Sequence, residues 1–241
     1  MKNIRLALTL ITSLTAPHFL HAGDGEDWPT ELPFEVPKFP VLSAEEIAKT
    51  LDVADGWEIQ LVASEPLIEK PVLAEYDPAG RLWVAEMVSY MLDENGADEH
   101  QKISCVKRLE DTDGDGRMDK VVTVIDKLLL PRVLAFDSKG LITTDGAALV
   151  HYPLDADGNQ AGERTTLNPK YARGGNVEHR TNGFIPSIDN RRYNAKSDRS
   201  FGVSGGSEQR ALFRGQWGIH QNDEGFLIYN TNSTLALADR F

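Results

Sequence analysis

The sequence predicts an all-β fold, a β-propeller of about three to four blades, and three observations carry that prediction. Apolar residues alternate in short runs; Asp-Gly and Pro-Gly turns separate the runs; and one phrase returns along the chain. After one short helix near the start, the helical period disappears.

The elements follow in order. "MKNIRLALTLITSLTAPHFLHAGDGEDW" sets Lys2 and Arg5 ahead of an apolar stretch from Leu6 to Leu14 that is too short to cross a bilayer. This is the pattern of an export signal over residues 1–22, with Ala22 the last residue before cleavage. Residues 23–42 carry Pro29, Pro33, Pro37 and Pro40, which forbid helix and favour an extended strap. Ser43 with Glu46 three positions on is a capping box for the one short helix, and the propeller is expected over residues 43–241. "WEIQLVA", residues 57–63, alternates as a half-buried strand. "YDPAGRLWVAEM" reads as strand, turn, strand, and "ITTDGAALVHY" places Asp145 and Gly146 between two apolar runs. "SFGVSGGSEQRALF" and "NDEGFLIYN" repeat the theme.

"YDPAGRLWV", "FDSKGLITT" and "NDEGFLIYN" share an acidic turn and a glycine before an emerging strand. The turns "DTDGDG" and "DADGN" open about 44 residues apart, the length of a four-stranded blade. A sandwich shows no such spaced phrase. From Trp57 to the last residue there is chain for about four blades, and "LALADRF" offers no strand to close a ring. An open ring leaves a bare sheet edge, so a longer natural chain is expected.

A formal charge of −12 argues against a nucleic-acid partner, which needs a basic face. The single cysteine, Cys105, allows no internal disulfide and is expected in a small buried apolar role. Export with one cysteine points to a bacterial periplasm or cell surface, and nothing after the signal is apolar enough to span a membrane.

In "RLEDTDGDGRMDKVV", Asp111, Asp113 and Asp115 fall at alternate positions, Gly116 at the sharp turn, the Arg117 carbonyl next but one to Asp115, and Asp119 two further. Calcium takes oxygen ligands from such a loop. The position where a helix–loop–helix site has its closing glutamate is Val122, and the flanks read as strand. The expectation is a weak calcium site that pins a hairpin, against the alternative of a solvated acidic turn. "DADGNQAGE" reads as a turn.

His179 stands out in "GGNVEHRTNGF", between Glu178 and Arg180 in a long polar loop. Histidine changes charge near neutral pH, which a general base requires. Arg214 in "FRGQWGIHQNDEG", with Gln216 beside it, meets a Gly-rich turn and is placed to hold a carboxylate in two-pronged fashion or to cap the turn. No zinc, phosphate-loop or nucleophile-elbow pattern is present.

"LVASEPLIEKPVLAEYDPAGRLWVAEM", "KRLEDTDGDGRMDKVVTVID", "EHRTNGFIPSIDNRRYNAKS" and "FRGQWGIHQNDEGFLIYNTNS" resemble the exported propellers of planctomycetes and verrucomicrobia described as membrane-bound dehydrogenase domains, themselves similar to quinoprotein glucose/sorbosone dehydrogenases. The resemblance implies oxidation of a sugar or other alcohol with bound pyrroloquinoline quinone, and a c-type cytochrome as electron acceptor. By the same resemblance His179 is the base, Glu178 lies at the substrate, and Arg214 and Gln216 lie at the quinone, with Gly215 where those enzymes carry asparagine. The Cys-x-x-Cys-His of a haem domain is absent from this sequence. The alternative is a non-catalytic, calcium-stabilised propeller that binds a glycan or a partner protein.

Overall fold

The computed structural model describes residues 40–239; the export signal over 1–22 and residues 23–39 of the strap lie outside the described residues. The capping box forms as expected. Ser43 Oγ accepts from the Glu46 N–H, the Glu46 carboxylate accepts from the Ser43 N–H, and together they start α1 (Ala44–Ala48).

Among the described residues, fifteen strands form four antiparallel sheets. The first holds β1 (Pro71–Tyr76), β2 (Leu82–Glu86), β3 (Ser104–Glu110) and β4 (Lys120–Leu128) in chain order. The second holds β5 (Leu134–Asp137), β6 (Gly140–Asp145), β7 (Ala148–Pro153) and β8 (Thr165–Asn168). The third holds β9 (Asn182–Pro186), β10 (Arg191–Ala195), β11 (Ser197–Gly202) and β12 (Glu208–Arg214). The fourth holds β13 (Ile219–Gln221), β14 (Leu227–Tyr229) and β15 (Leu237–Asp239). The first strand of each sheet packs on the first strand of the next, so β1, β5, β9 and β13 line a common axis. This is the β-propeller the sequence predicts, in four blades.

Period-two alternation explains how the blades stack. In the second blade Leu141 and Val150 face Trp83, Val106 and Ile125 of the first, while Ile142 and Leu149 face Phe184 and Phe201 of the third. A blade held between two others buries both faces, which is why β6 is buried continuously from Gly140 to Thr144 rather than at alternate positions. Tyr193 and Ala195 then pack on Ile219 and Leu227 to join the third blade to the fourth.

The repeated phrase is the hairpin between the first and second strands of a blade. In each copy an Asp or Asn folds back on its own turn: Asp77 Oδ1 accepts from the N–H groups of Ala79 and Arg81, Asp137 Oδ1 from Lys139 and Gly140, and Asn222 Oδ1 from Phe226. The third blade does the same with Asp189, accepting from the Arg191 N–H, without the glycine that would have made it visible. "DTDGDG" and "DADGN" occupy one place in two blades, joining third to fourth strands.

"WEIQLVA" does not form the expected strand. Residues 57–63 have no ladder partner, Trp57 is 76% exposed, and only Val62 and Ala63 pack on the first blade. The Val62 carbonyl takes the Met118 N–H, so the segment lies beside the acidic hairpin as an extended strap. Alternation alone does not supply a partner edge. Cys105 is half-buried rather than fully buried, and its thiol donates to Glu86 Oε2. Burial first, and then Glu86, pushes the thiol up to about 12. No helix among the described residues is long and apolar enough to cross a membrane.

Candidate functional site

Antiparallel strands sort the connections into two ends. One end, the turn end, collects the hairpins from first to second and third to fourth strands, including residues 111–119. The other, the loop end, collects the connections from second to third strands and from blade to blade. Residues 87–103, 129–133, 169–181 and 215–218 lie there, and with them Glu178, His179 and Gln216.

At the turn end, Asp111, Asp113 and Asp115 each bring a carboxylate oxygen within 4.8 Å of the others. The backbone N–H groups of Gly116 and Gly114 donate to Asp111 and hold its carboxyl below the usual range. The N–H of Asp115 donates to Asp113, and that of Arg117 to Asp115. Gly116, at φ +87°, makes the sharp turn. Three hard oxygen donors on one loop are a donor set that fits calcium. Asp119 stands apart from them: its carboxylate takes the Thr112 hydroxyl at 2.7 Å and closes the loop. The Arg117 guanidinium reaches Glu45 of α1 at 2.7 Å. "DADGN" is a structural turn, its Asp157 and Ala156 carbonyls taken by Arg108 and Arg81 of the first blade.

At the loop end, a single 3₁₀ turn, Val177–His179, precedes β9. His179 and Glu178 are exposed. Glu178's own N–H, the His179 imidazole, Asn176 and the Tyr90 hydroxyl together lower its carboxyl. Tyr90 belongs to the loop of the first blade, and its own hydroxyl is pushed up by burial and by Glu178. The two turns singled out in the sequence do meet. Asn182, fully buried, donates to the Arg180 and Gln216 carbonyls and accepts from the Gly218 N–H. Gly183, at φ +96°, permits this: a Cβ there would stand 2.6 Å from Ile219.

Arg214 is placed differently from the expectation. It is 4% exposed, turned between the third and fourth blades. Its Nε donates to Asp239, its Nη1 to the Leu212 carbonyl, and its guanidinium stacks 4.7 Å from the Tyr193 ring. Gln216 gives its side-chain oxygen to Lys196 at 2.7 Å. The strand-end position that made Arg214 look available is what pulls it inward, because an outer-strand arginine beside an aromatic ring and a buried-facing aspartate gains both. The Arg214 guanidinium is therefore held between two blades, whereas Gln216 stays half-exposed at the loop end.

Sequence reasoning missed two further groups. Arg132, just before β5, is fully buried at the loop end, with Nη1 donating to the Val177 carbonyl at 2.6 Å. Its signal, a lone "PR" between apolar residues, is indistinct. On the axis, nearer the turn end, a cavity of about 430 Å³ is lined by Glu75, Tyr76, Phe136, Phe184, His220 and Gln221 among others. Burial raises the Glu75 carboxyl while His220 opposes the rise. Aligning the repeated phrase would have found this pair, since both stand two residues before the hairpin Asp77 or Asn222.

A family model described as "Domain of unknown function (DUF7133)" matches residues 43–240. No curated protein matches the chain. Among solved structures, a Trichoderma reesei carbohydrate-active enzyme of family AA12 is similar at 17% identity and TM-score 0.47, covering 73% of this chain and 48% of that one. A putative gluconolactonase is similar at 18% and 0.47, covering 70% and 59%. The PQQ domain of pyranose dehydrogenase from Coprinopsis cinerea is similar at 16% and 0.46, covering 78% and 51%. The chain thus spans about half the length of these structures.

Proposed function

The chain belongs to the DUF7133 family, and from that premise we propose that it is an exported, dehydrogenase-like propeller that takes a sugar or other alcohol at its loop end. The reading rests on one observation: the exposed Glu178 and His179 sit on the turn that enters an axial strand, and Tyr90 of the first blade lies in the electrostatic surroundings of Glu178. His179 would take the proton of the substrate hydroxyl, and Glu178 would orient that hydroxyl. Pyrroloquinoline quinone would supply the acceptor chemistry when bound, with Gln216 within the loop end and Arg214 held between two blades by Asp239. A c-type cytochrome would be the onward acceptor, in a periplasm or at a cell surface. Calcium would be held at the turn end by Asp111, Asp113 and Asp115, as a brace rather than a reactant.

The axial cavity favours a second reading, a propeller that binds a glycan without turnover, with Glu75 and His220 as its polar contacts. One experiment separates them: dye reduction with a panel of aldoses and alcohols, with and without the quinone and calcium. Turnover that His179→Gln abolishes at unchanged melting temperature supports the dehydrogenase reading. Sugar binding without dye reduction, lost in Glu75→Gln or His220→Ala, supports the second.

A further inference from the structure

Four buried polar side-chain atoms among the described residues have no hydrogen-bond partner: Ser89 Oγ, Arg132 Nε, Arg132 Nη2 and Arg180 Nε. All belong to the loop end. Leaving a buried donor unpaired is costly, and more so for a charged one, so two such donors on one guanidinium call for a ligand.

Arg132 is the centre of the group. Its main chain is fixed by the Thr144 hydroxyl and by the Gly183 N–H, and its Nη1 by the Val177 carbonyl. What remains is Nε and Nη2, the two donors of a single guanidinium edge, which match the two oxygens of a carboxylate. Arg180, three residues beyond Val177, brings a second cation. Burial first and Arg180 next lower the Arg132 guanidinium to about 10, as expected of like charges enclosed without a counter-ion. Tyr90, which follows Ser89 in the chain, also lies in the electrostatic surroundings of Arg132. Glu178, on the same turn as Val177, is exposed, and its carboxylate makes no ion pair with Arg132 among the described residues.

We propose that the Nε–Nη2 edge of Arg132, with Arg180 beside it, binds the carboxylate of a small anion at the loop end. The ligand class is a carboxylic acid, and the site does not depend on whether His179 transfers a proton.

Formate, the smallest carboxylate, is the probe, with chloride at equal ionic strength as the control and sulfate as the tetrahedral alternative. Calorimetry on the full chain should show saturable formate binding, with a rise in melting temperature that chloride does not reproduce. Arg132→Met should fold, since it removes an unpaired buried charge, and should weaken formate binding about tenfold or more. Arg180→Gln, at a half-buried position, gives the same readout should Arg132→Met fail to fold. Equal responses to formate and chloride, or formate binding that survives in the folded variants, would overturn the proposal. Saturable sulfate binding without formate binding would overturn it too. So would a Glu178→Gln variant that loses stability and regains it with formate, because Glu178 would then be the native occupant. Binding alone is read, so this site can fail while the proton-transfer reading stands, and the reverse.

Discussion

The turn end and the loop end of this propeller are built from the same strands and differ in almost everything else. At the turn end the connections are short, and their aspartates spend their oxygens on their own backbone, as Asp77, Asp137 and Asp111 do. At the loop end the connections include residues 87–103 and 169–181, and there four buried polar atoms, of Ser89, Arg132 and Arg180, have no partner among the described residues. Polar groups satisfied within one hairpin stabilise it. Polar groups left unsatisfied by the chain are the ones available to something else. From this difference we propose that the turn end serves stability and the loop end recognition.

The largest effect that tests this division is expected at Asp77. Burial pushes its carboxyl up, but hydrogen bonds from the Arg81 backbone, Trp83 Nε1 and the Arg81 guanidinium outweigh it and hold the carboxyl below its ordinary value. Asp77→Ala should cost about 3 kcal/mol in urea unfolding, since it strands Arg81 and a buried indole N–H. Because the folded-state pKa is the lower one, this contribution is present above the unfolded value near 3.9 and is lost as pH falls through the folded value. Asp77→Asn should therefore flatten the acid limb of the stability curve; an unchanged limb would contradict the assignment.

Next comes Arg214, where the two ends are most easily confused. Arg214→Met should destabilise by about 2 kcal/mol, because Asp239 loses its ion pair and Tyr193 its cation. Unchanged unfolding with a loss of activity would instead return Arg214 to the loop end's chemistry.

A smaller effect belongs to the acidic hairpin. Calcium at about ten times its dissociation constant should add about 1.4 kcal/mol, read as a rise in melting temperature. Asp113→Ala combined with Asp115→Ala should cancel that rise, and a flat titration of the unaltered protein would leave a plain acidic turn.

These outcomes also measure how much the sequence reveals. The hairpins were legible because Asp-Gly turns and period-two runs are local, as "ITTDGAALVHY" and the Ser43 capping box illustrate. The blade arrangement was legible because the hairpin phrase recurs at the same place in the first, second and fourth blades. Residues 57–63 misled because pairing depends on an edge elsewhere in the chain, which alternation does not report. Arg214 misled for a related reason: its partners Tyr193 and Asp239 come from different blades. Arg132 was invisible because its partners, Thr144, Val177 and Gly183, are distant in the chain. What the sequence states plainly is local, and the candidate site is assembled from what is not.

The smallest stability effect belongs to His179, and it supplies the most direct test of the division between the ends. His179→Gln should change unfolding by no more than about 0.5 kcal/mol, as for an exposed side chain. Set beside the Asp113→Ala, Asp115→Ala double variant in one dye-reduction assay at saturating sugar, it should lose turnover while the double variant keeps it and loses only the calcium response. Turnover retained without His179, or abolished by the hairpin variant at unchanged folding, would contradict the account.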